Sequence, residues 1–593
     1  MLEKRLDASV ICDSLYVSHG MKIKCKSSDI IYNGLQATTG KLAVQIKPLS
    51  LISGNSVIGK LVIDDIRLSR VLMPANLLHL NYFEADLSKF NHSNFSGKIY
   101  INTQGAFSQN NQEAGSFSID HEIWLDRLRI KGESSINNLK LPVLALLFGS
   151  DWETRIQSGL FSWSMRNTAG EFSLRDTTLN IPQIANDIID LPPIYYSFTA
   201  KNTSNEWKGL TGDARIQDIR LSFIPSLIDN QIQLKIELPP SGIQSILDTI
   251  PSTLLGELGE VKIRGNVEWH MQMQIPLQDT KELQWESSTE YSDILLEHLP
   301  DSINVFRLEG PFLHHITDPT IGYDRVIRIG PMSAPDRDWL EQYSGLDANR
   351  WEELLSRRPA ATSVAVMRAR SPLSHRFFDK LLFQDPNYHF VPLQSISPWI
   401  PLAVVTAEDG EFFRHRGINW RSVQHAIERN LNEGEYSVGA STIPMQLVKN
   451  LFLDQDKVLA RKLQEALLVM LMEQVAAIPK DRQLEVYLNI VEFGPGIYGI
   501  HDACNYYFNK TPDAITPIEA VWLASVLPSP KRFHYYYDAG EVSEAWLERM
   551  QHILEIMHAR QRISDQDFEQ AMQEKPQFAY PEKTKQIKKY KSK

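Results

Sequence analysis

Hydrophobic and polar residues alternate along about the first 330 positions, in short runs that Gly, Asn, Asp and Pro residues separate. The clearest runs are residues 41–46, 60–68, 214–221, 231–238 and 261–275. This period of two is typical of antiparallel strands with one buried face and one solvent-facing face. Residues 1–330 are therefore predicted to form a β-rich antiparallel region. Helix-like inserts at 139–148 and 242–258 leave open a division of this region into two similar sub-domains.

The spacing of apolar residues changes to the helical period of 3.6 from about residue 401 onward. The predicted helices are residues 420–433, 442–453, 459–477, 481–493 and 517–526. A mixed connecting segment is expected at 331–395, a mostly α domain at 396–560, and a C-terminal helix with a basic tail at 561–593. The predicted fold class is therefore multidomain α+β, with the β-rich part first and the helical part second.

The composition restricts the class of protein. A chain of 593 residues is too long for one domain, and 43% hydrophobic with 22% charged residues is ordinary globular chemistry. The net charge of −11 argues against a nucleic-acid partner, because phosphate contacts need a basic surface. The three cysteines lack zinc-site spacing. Cys12 and Cys25 could pair across a hairpin, but we expect two buried free thiols.

Membrane contact is not evident in the pattern of apolar residues. No stretch reaches the roughly 18 apolar residues that a spanning helix needs, and the N-terminus lacks the apolar core of a signal peptide. The tail at 582–593 carries six lysines and one glutamate, which suits either plain solvation or attraction to an anionic membrane. The β-rich region could be a structural sheet or an apolar groove for a lipid chain.

Two stretches place polar groups at the ends of apolar helices. In residues 403–417, Glu408 follows an apolar run, and a carboxylate there can have the raised pKa that a general base needs. In residues 439–453, Ser441 or Thr442 can cap a helix whose free N–H groups suit a phosphate. Gln446 and Lys449 share one face of that helix. Taken singly, both stretches are ordinary capped helices.

Two further stretches follow along the chain. Residues 459–474 predict a helix with Arg461, Lys462 and Glu465 on the side away from its apolar stripe. Residues 480–499 predict an amphipathic helix that ends in a Gly-Pro-Gly turn, with Asn489 near the turn. Each of these alone is more typical of a structural element than of a functional site.

In this order and spacing, the four stretches resemble the motifs of glycosyltransferase family 51, the polymerase domain of penicillin-binding proteins and of monofunctional transglycosylases. The matching residues are Glu408, Asp409, Phe412, His415 and Gly417; 439–443, Gln446, Lys449 and Asn450; Arg461, Lys462 and Glu465; Leu484, 487–489, 493–494 and 498–499; and Glu519, Ala520, Leu523, Ala524, Leu527, Pro528 and Pro530. The resemblance covers about residues 390–535. Pro444 and Met445 stand where the family usually has Thr and Gln, so we expect altered substrate contacts there.

The resemblance implies a lysozyme-like domain that polymerises lipid II into β-1,4-linked glycan. It implies Glu408 as the catalytic base and Glu465 as a second catalytic residue, which orients cations or holds a divalent metal ion, Mg²⁺ or Mn²⁺. No organic cofactor is expected. The implied substrate-binding residues are Ser441, Thr442, Gln446, Lys449, Lys457, Arg461, Lys462, Asp409, His415 and Asn489. Four of these are cations within fourteen residues and can line one diphosphate site.

Other functions remain open from the residues alone. Two carboxylates also serve glycan cleavage, and a decayed polymerase domain would leave a non-catalytic lipid-binding protein. No Ser-x-x-Lys pair with a domain around it follows the fifth motif, so transpeptidase activity is not expected. The front region faintly resembles AsmA-type strand repeats of envelope proteins.

The expected partners are lipid II, the growing glycan strand, the cytoplasmic membrane surface and other cell-wall synthesis proteins. The expected location is the periplasmic face of the bacterial inner membrane. We expect either an anchor upstream of this sequence or peripheral docking on the membrane.

Overall fold

The computed structural model describes residues 9–18, 22–32, 35–46, 58–70, 73–91, 96–109, 112–124, 129–142, 155–203, 206–228, 231–276, 284–318, 323–330, 389–433, 440–453 and 459–579. The chain divides into two compact units. The first is Met1–Leu254 with Gly265–Ser292, and the second is Leu255–Arg264 with Asp293–Lys593. Most of the predicted connecting segment at 331–395, and the basic tail, lie outside the described residues.

Among the described residues, nineteen strands form one sheet, most of it in the first unit. The strands are β1 (Ser9–Cys12), β2 (Leu15–Ser18), β3 (Lys22–Cys25), β4 (Ser28–Tyr32), β5 (Leu35–Ile46), β6 (Ile58–Arg70), β7 (Met73–Asn91), β8 (Ser96–Gln109), β9 (Gln112–Trp124), β10 (Arg129–Lys140), β11 (Ile156–Arg166), β12 (Ala169–Leu179), β13 (Ile189–Leu191), β14 (Ile194–Thr203), β15 (Glu206–Ile216), β16 (Ile219–Ile228), β17 (Gln231–Gly242), β18 (Lys262–Pro276) and β19 (Gln284–His298). From β5 to β12, and from β14 to β18, each strand pairs antiparallel with the next. The predicted β-rich antiparallel region is confirmed.

Alternation gives this sheet a face rich in aromatic side chains. Trp163 on β11 lies opposite Phe172 on β12, which lies opposite Tyr196 on β14. The ring centroids of Phe172 and Tyr196 are 5.3 Å apart, and those of Trp163 and Phe198 are 5.6 Å apart. Cross-strand aromatic pairs of this kind fix the register of neighbouring strands and stabilise their pairing.

The first strands contain a disulfide between Cys12 and Cys25, with a Cα–Cα distance of 6.0 Å. The prediction of two free thiols was therefore wrong for this pair. β2 and β3 form a hairpin inside the pairing of β1 with β4, so the C-terminal ends of β1 and β3 lie close together. Cys504 is a buried free cysteine.

One helix-like insert in the β-rich region forms short helices. These are α1 (Ile243–Thr249), α2 (Ser252–Leu255) and a 3₁₀ turn at Gly256–Glu260. α1 ends just before Pro251, which cannot donate a backbone hydrogen bond inside a helix. In the other insert, residues 139–140 belong to β10, and 143–148 lie outside the described residues.

The second unit is mostly helical. Its elements are 3₁₀ turns at Asp301–Ile303, Val305–Glu309, Leu393–Ser395 and Pro512–Ala514; β20 (Phe312–Asp318) paired with β21 (Tyr323–Ile329); α3 (Trp399–Glu408), α4 (Trp420–Glu433), α5 (Ile443–Phe452), α6 (Leu459–Met470) with a π turn at Leu471–Val475, α7 (Lys480–Ile490), β22 (Glu492–Gly494) paired with β23 (Ile497–Tyr498), α8 (Ile500–Phe508), α9 (Pro517–Val526), α10 (Pro530–Phe533), α11 (Tyr535–Ala539), α12 (Glu544–Ala559) and α13 (Asp565–Gln573). The five helices predicted between 420 and 526 are confirmed to within a few residues at most ends. The π turn ends α6 earlier than the pattern predicts.

Three helices make the centre of the helical unit. All eleven residues of α7 are buried, as are seven consecutive residues of α3 and nine of α9. α3 and α9 pack against each other. A helix that is buried on all sides is typical of a domain core. Among the described residues, no helix has both the length and the apolar composition needed to cross a membrane.

Arg482 on α7 joins the β20–β21 segment to the helices. Its guanidinium is fully buried and donates to the carbonyls of Leu308, Gly310 and Gly330 at 2.6, 2.9 and 2.8 Å. It also pairs with the Glu485 carboxylate one turn along α7. Residues 293–330 therefore group with the helices, whereas the pattern of the sequence placed a boundary near residue 330.

Candidate active site

Glu408 is the last residue of α3, where a buried helix meets a loop. Its Oε2 accepts a 2.7 Å hydrogen bond from the side-chain amide of Gln446. Burial raises the pKa of this carboxyl above its ordinary value, because the charged form loses water. The Gln446 bond and the positive charges of Arg549 and Lys449 lower the pKa in part, but the net direction is upward.

Tyr487 holds the other end of the Gln446 amide. Its hydroxyl donates to Gln446 Oε1 at 2.9 Å, so the amide is oriented with its N–H group toward Glu408. Burial raises the pKa of Tyr487 well above its ordinary value, which keeps the hydroxyl protonated as a donor. Tyr487 belongs to the fourth motif, but nothing in the sequence indicated that its hydroxyl orients Gln446.

The N-terminus of α5 is fixed by Thr442, Asp409 and His415. Thr442 caps the helix: its hydroxyl accepts from Met445 N at 3.4 Å and donates to Gly417 O at 2.5 Å. Asp409 accepts from Ile443 N at 3.1 Å and from His415 Nε2 at 2.9 Å. The structure thus places Thr442, Asp409 and His415 in the support of the helix start.

Pro444 fits the same helix start. It lies in the first turn of α5, where its missing N–H has no partner to lose. The departure of Pro444 from the usual family pattern is therefore compatible with the local fold.

Gly417 has no room for a side chain. Its φ is +91°, and a Cβ built there would lie 2.1 Å from Val469 Cγ1. We expect Gly417→Ala to lower the free energy of unfolding by about 2–3 kcal/mol through backbone strain and overpacking. Urea unfolding of the variant beside Gly310→Ala, whose Cβ would meet nothing within 4 Å, measures this effect. Equal losses in both variants would contradict it.

A cationic cluster, defined as Lys449, Arg461 and Lys462, surrounds Glu465. Lys462 Nζ lies 2.6 Å from Glu465 Oε2 and 2.9 Å from Ser441 Oγ. Arg461 Nε lies 3.3 Å from Glu465 Oε1, without hydrogen-bond geometry. The Glu465 side chain is 1% exposed, whereas that of Lys462 is 43% exposed. The cluster is therefore anchored on a buried carboxylate and reaches solvent at Lys462.

Lys449 is the member of the cationic cluster that also interacts with Glu408. Burial lowers the pKa of Lys449, while the charges of Glu465 and Glu408 raise it and those of Lys462 and Arg461 lower it. An ammonium whose pKa is shifted by both carboxylates and both other cations lies near all four groups. The structure thus brings together Glu408, Gln446, Lys449, Arg461, Lys462, Glu465 and Ser441.

Besides Thr442, Asp409 and His415, one further predicted site residue does not join this group. Asn489 is buried, and its amide donates to Val391 O and Glu485 O and accepts from Val391 N, each at 2.8–2.9 Å. It fixes the segment that enters the helical unit. Lys457 lies outside the described residues.

Arg549 on α12 was not predicted from the sequence. Its guanidinium stacks on Trp546, 4.8 Å from the ring centroid, and its charge lowers the pKa of Glu408. It lies beyond the segment that carries the motifs, so no pattern in the sequence marked it.

A divalent metal ion at Glu465 would find few protein ligands. One buried oxygen, Oε1, lacks a hydrogen-bond partner, and three cationic side chains surround the carboxylate. The three cationic side chains favour binding of an anion here. Mg²⁺ commonly uses one or two carboxylates together with phosphate oxygens and water, so these residues fit such an ion only when a diphosphate supplies further ligands.

Comparison with known proteins agrees with this geometry. A family profile described as "Transglycosylase" matches residues 375–558. The biosynthetic peptidoglycan transglycosylase of Nitrosomonas eutropha is 34% identical over 197 residues, which cover 32% of this chain and 75% of that protein. That of Aromatoleum aromaticum is 44% identical over 179 residues, which cover 30% of this chain and 73% of that protein. The resemblance seen in the motifs is confirmed: the chain belongs to the peptidoglycan transglycosylases of glycosyltransferase family 51.

Proposed function

We propose that this protein is a peptidoglycan glycosyltransferase that polymerises lipid II into β-1,4-linked glycan and releases undecaprenyl diphosphate. Family membership gives the class of reaction. The observation that carries the residue roles is the half-buried Glu408 carboxylate, whose pKa is raised, together with Lys449 of the cationic cluster, whose pKa responds to both Glu408 and Glu465.

Glu408 is the general base in this proposal. Its carboxylate takes the proton of the 4-hydroxyl of the acceptor sugar as that oxygen attacks the anomeric carbon of the growing chain. The α-linked diphosphate leaves from the opposite side, so the new bond is β. Gln446, held by Tyr487, fixes the orientation of the carboxylate. A pKa raised toward neutrality makes the carboxylate a stronger base than an ordinary glutamate.

The cationic cluster receives the leaving diphosphate. This group needs charge neutralisation more than it needs a proton, and charge-assisted bonds from Lys449, Arg461 and Lys462 supply it. Ser441 contacts Lys462 and lies beside the same site. Glu465 is a positioning residue, because its buried carboxylate holds Lys462 and lies against Arg461. A bound Mg²⁺ or Mn²⁺ would add neutralisation of diphosphate charge at Glu465.

Glycan cleavage is the alternative reaction. It needs a protonated carboxylic acid, whereas the nearby charges of Arg549 and Lys449 favour the ionised form of Glu408. The net direction of its pKa is upward, so that argument alone does not separate the two reactions. The cations do separate them: an alkoxide leaving group has no use for a cluster of three, whereas a diphosphate does. The same residues argue against a decayed, non-catalytic domain.

The helical unit is proposed to have a lysozyme-like fold. The proposed location is the periplasmic face of the inner membrane, where lipid II is polymerised. The Cys12–Cys25 disulfide supports an extracytoplasmic place, because such bonds persist in oxidising compartments. The growing glycan, the membrane surface and other cell-wall synthesis proteins are the partners proposed.

Incubation of the purified protein with fluorescently labelled lipid II tests this function. We expect a ladder of glycan strands that a muramidase digests to disaccharide units. A parallel reaction with preformed glycan tests for cleavage. Absence of polymer with and without Mg²⁺ or Mn²⁺, or shortening of the preformed glycan, would contradict the proposal.

The pH dependence of polymerisation should report the Glu408 pKa. A base works only when ionised, so kcat/KM is expected to fall as the pH drops through this pKa. Because burial raises the pKa, the fall should begin at higher pH than the ordinary glutamate value of 4.5 predicts. Gln446→Leu removes a bond that lowers the pKa, so its acid limb should lie at still higher pH. Identical acid limbs in both proteins would contradict this assignment.

A further inference from the structure

We propose that His389, His501 and Asp502 form a binding site for a divalent transition-metal ion, with Zn²⁺ as the best match. His389 precedes the first turn of the helical domain, and His501 and Asp502 lie in the first turn of α8. None of the three belongs to the cluster around Glu408 and Glu465. The site is therefore independent of the proposed polymerase reaction.

The ligand atoms lie close to the separations of a metal site. Nδ1 of His389 is 2.8 Å from Asp502 Oδ1, and Nδ1 of His501 is 3.2 Å from the same oxygen. One ligand atom from each of the three side chains lies within 4.8 Å of the others. Zinc–ligand bonds of about 2.0–2.2 Å put neighbouring ligand atoms roughly 3.0–3.5 Å apart. Small side-chain movements would therefore complete the site.

The two imidazole rings stack face to face. The ring centroids are 4.2 Å apart and the planes are inclined by 28°, which directs both Nδ1 atoms toward one carboxylate. On metal binding, the ion replaces the Nδ1 protons in these contacts, and the neutral rings carry their proton on Nε2. Within the described parts of the chain, this is the one group of three such side chains whose ligand atoms converge.

The donor set selects the class of metal. Two imidazoles and one carboxylate suit Zn²⁺ and other first-row transition ions, whereas Mg²⁺ and Ca²⁺ prefer oxygen ligands. The side chains are 48%, 37% and 22% exposed, so an ion and a bound water molecule can enter from solvent. Three protein ligands leave a fourth tetrahedral position for that water.

A metal ion here would link residues 389–393, which precede α3, to α8. Two residues beyond His389, the backbone of Val391 is already held by Asn489 on α7, and Leu393 N donates to Glu485. The His389–Asp502 hydrogen bond already joins this segment to α8, and the ion would replace it with stronger coordination bonds. We therefore expect the metal to raise the melting temperature of the protein.

The test uses the full-length protein without a polyhistidine tag, dialysed against a chelator. Zn²⁺ is titrated by calorimetry, and Co²⁺ is titrated by its visible absorption as a spectroscopic substitute. We expect a specific site of one equivalent, visible absorption bands with Co²⁺, and a Zn²⁺-dependent rise in melting temperature. His389→Ala and Asp502→Asn should each weaken Zn²⁺ binding by more than the roughly 10–100-fold that loss of an outer-shell partner causes.

His558→Ala is the matched control. His558 also bonds an aspartate, Asp565, at 2.7 Å and stacks on a ring, but within the described residues it belongs to no group of three converging ligand side chains. This variant should bind Zn²⁺ like the wild type. Equal Zn²⁺ affinity in wild type, His389→Ala and Asp502→Asn would overturn the proposal, and so would a wild type that binds no Zn²⁺ at micromolar concentrations.

Discussion

Glu408→Gln is expected to lower the rate of lipid II polymerisation by about 1,000-fold, within the range that loss of a general base commonly costs. The variant keeps the size of the side chain and removes the group that accepts the proton. Binding of lipid II should change little, because the cationic cluster on α5 and α6 remains intact. Single-turnover polymerisation and a separate binding measurement distinguish these two effects.

The stability of the same variant gives an independent readout. Folding raises the Glu408 pKa, so the folded protein binds a proton at this site more tightly than the unfolded chain does. The ionised carboxylate therefore costs stability once the pH exceeds the unfolded pKa, and glutamine removes that cost. We expect the melting temperature of Glu408→Gln at neutral pH to equal or exceed that of the wild type. A large loss of activity with a lowered melting temperature would indicate damage to the fold instead.

Glu411→Gln is the control for this prediction. Glu411 lies three residues beyond Glu408, in the loop that follows α3, and pairs with Arg414 at 3.5 Å. Its neutralisation should leave polymerisation within about twofold of wild type, because surface pairs contribute little. Full polymerisation activity of Glu408→Gln would show that Glu408 is not the general base.

The sequence predicted the elements whose local pattern decides their structure. Alternation identified the antiparallel region, and the period of 3.6 identified the helices between 420 and 526. The motifs indicated Glu408, Lys449 and Glu465, and the structure places them in one electrostatic cluster. In each case the deciding information lies in residue type and short-range spacing.

What the sequence missed depends on contacts between distant segments. The Cys12–Cys25 bond follows from one hairpin lying inside another pairing, which no cysteine spacing reveals. Asn489 resembles a motif residue that binds substrate, yet its amide holds the backbone of Val391, 98 residues earlier. Likewise, Arg549 approaches Glu408 from a helix beyond the motifs. Tertiary packing decided all three.

The supports of the active site explain part of the motif pattern. Thr442, Asp409 and Gly417 form one set of contacts that fixes where α5 begins, and α5 carries Gln446 and Lys449 toward Glu408. A motif residue can therefore be required for activity without touching substrate. Substitution of such a residue should lower stability and activity together, whereas substitution of Glu408 should lower activity alone.

Arg482→Met is expected to lower the free energy of unfolding of the helical unit by about 3–5 kcal/mol. Methionine keeps an apolar stem but leaves the Glu485 carboxylate buried without its cation and removes the donor from three carbonyls. Urea unfolding measures the loss, with Arg421→Met on the exposed side of α4 as the control.

Because much of the cost is one unpaired buried charge, the double variant Arg482→Met with Glu485→Leu should recover part of the lost unfolding free energy. Arg482→Lys should lie between wild type and Arg482→Met, since an ammonium cannot reproduce the planar set of donors that reaches three carbonyls. An unfolding energy equal to that of Arg421→Met would show that the β20–β21 segment is not held to α7 by this residue.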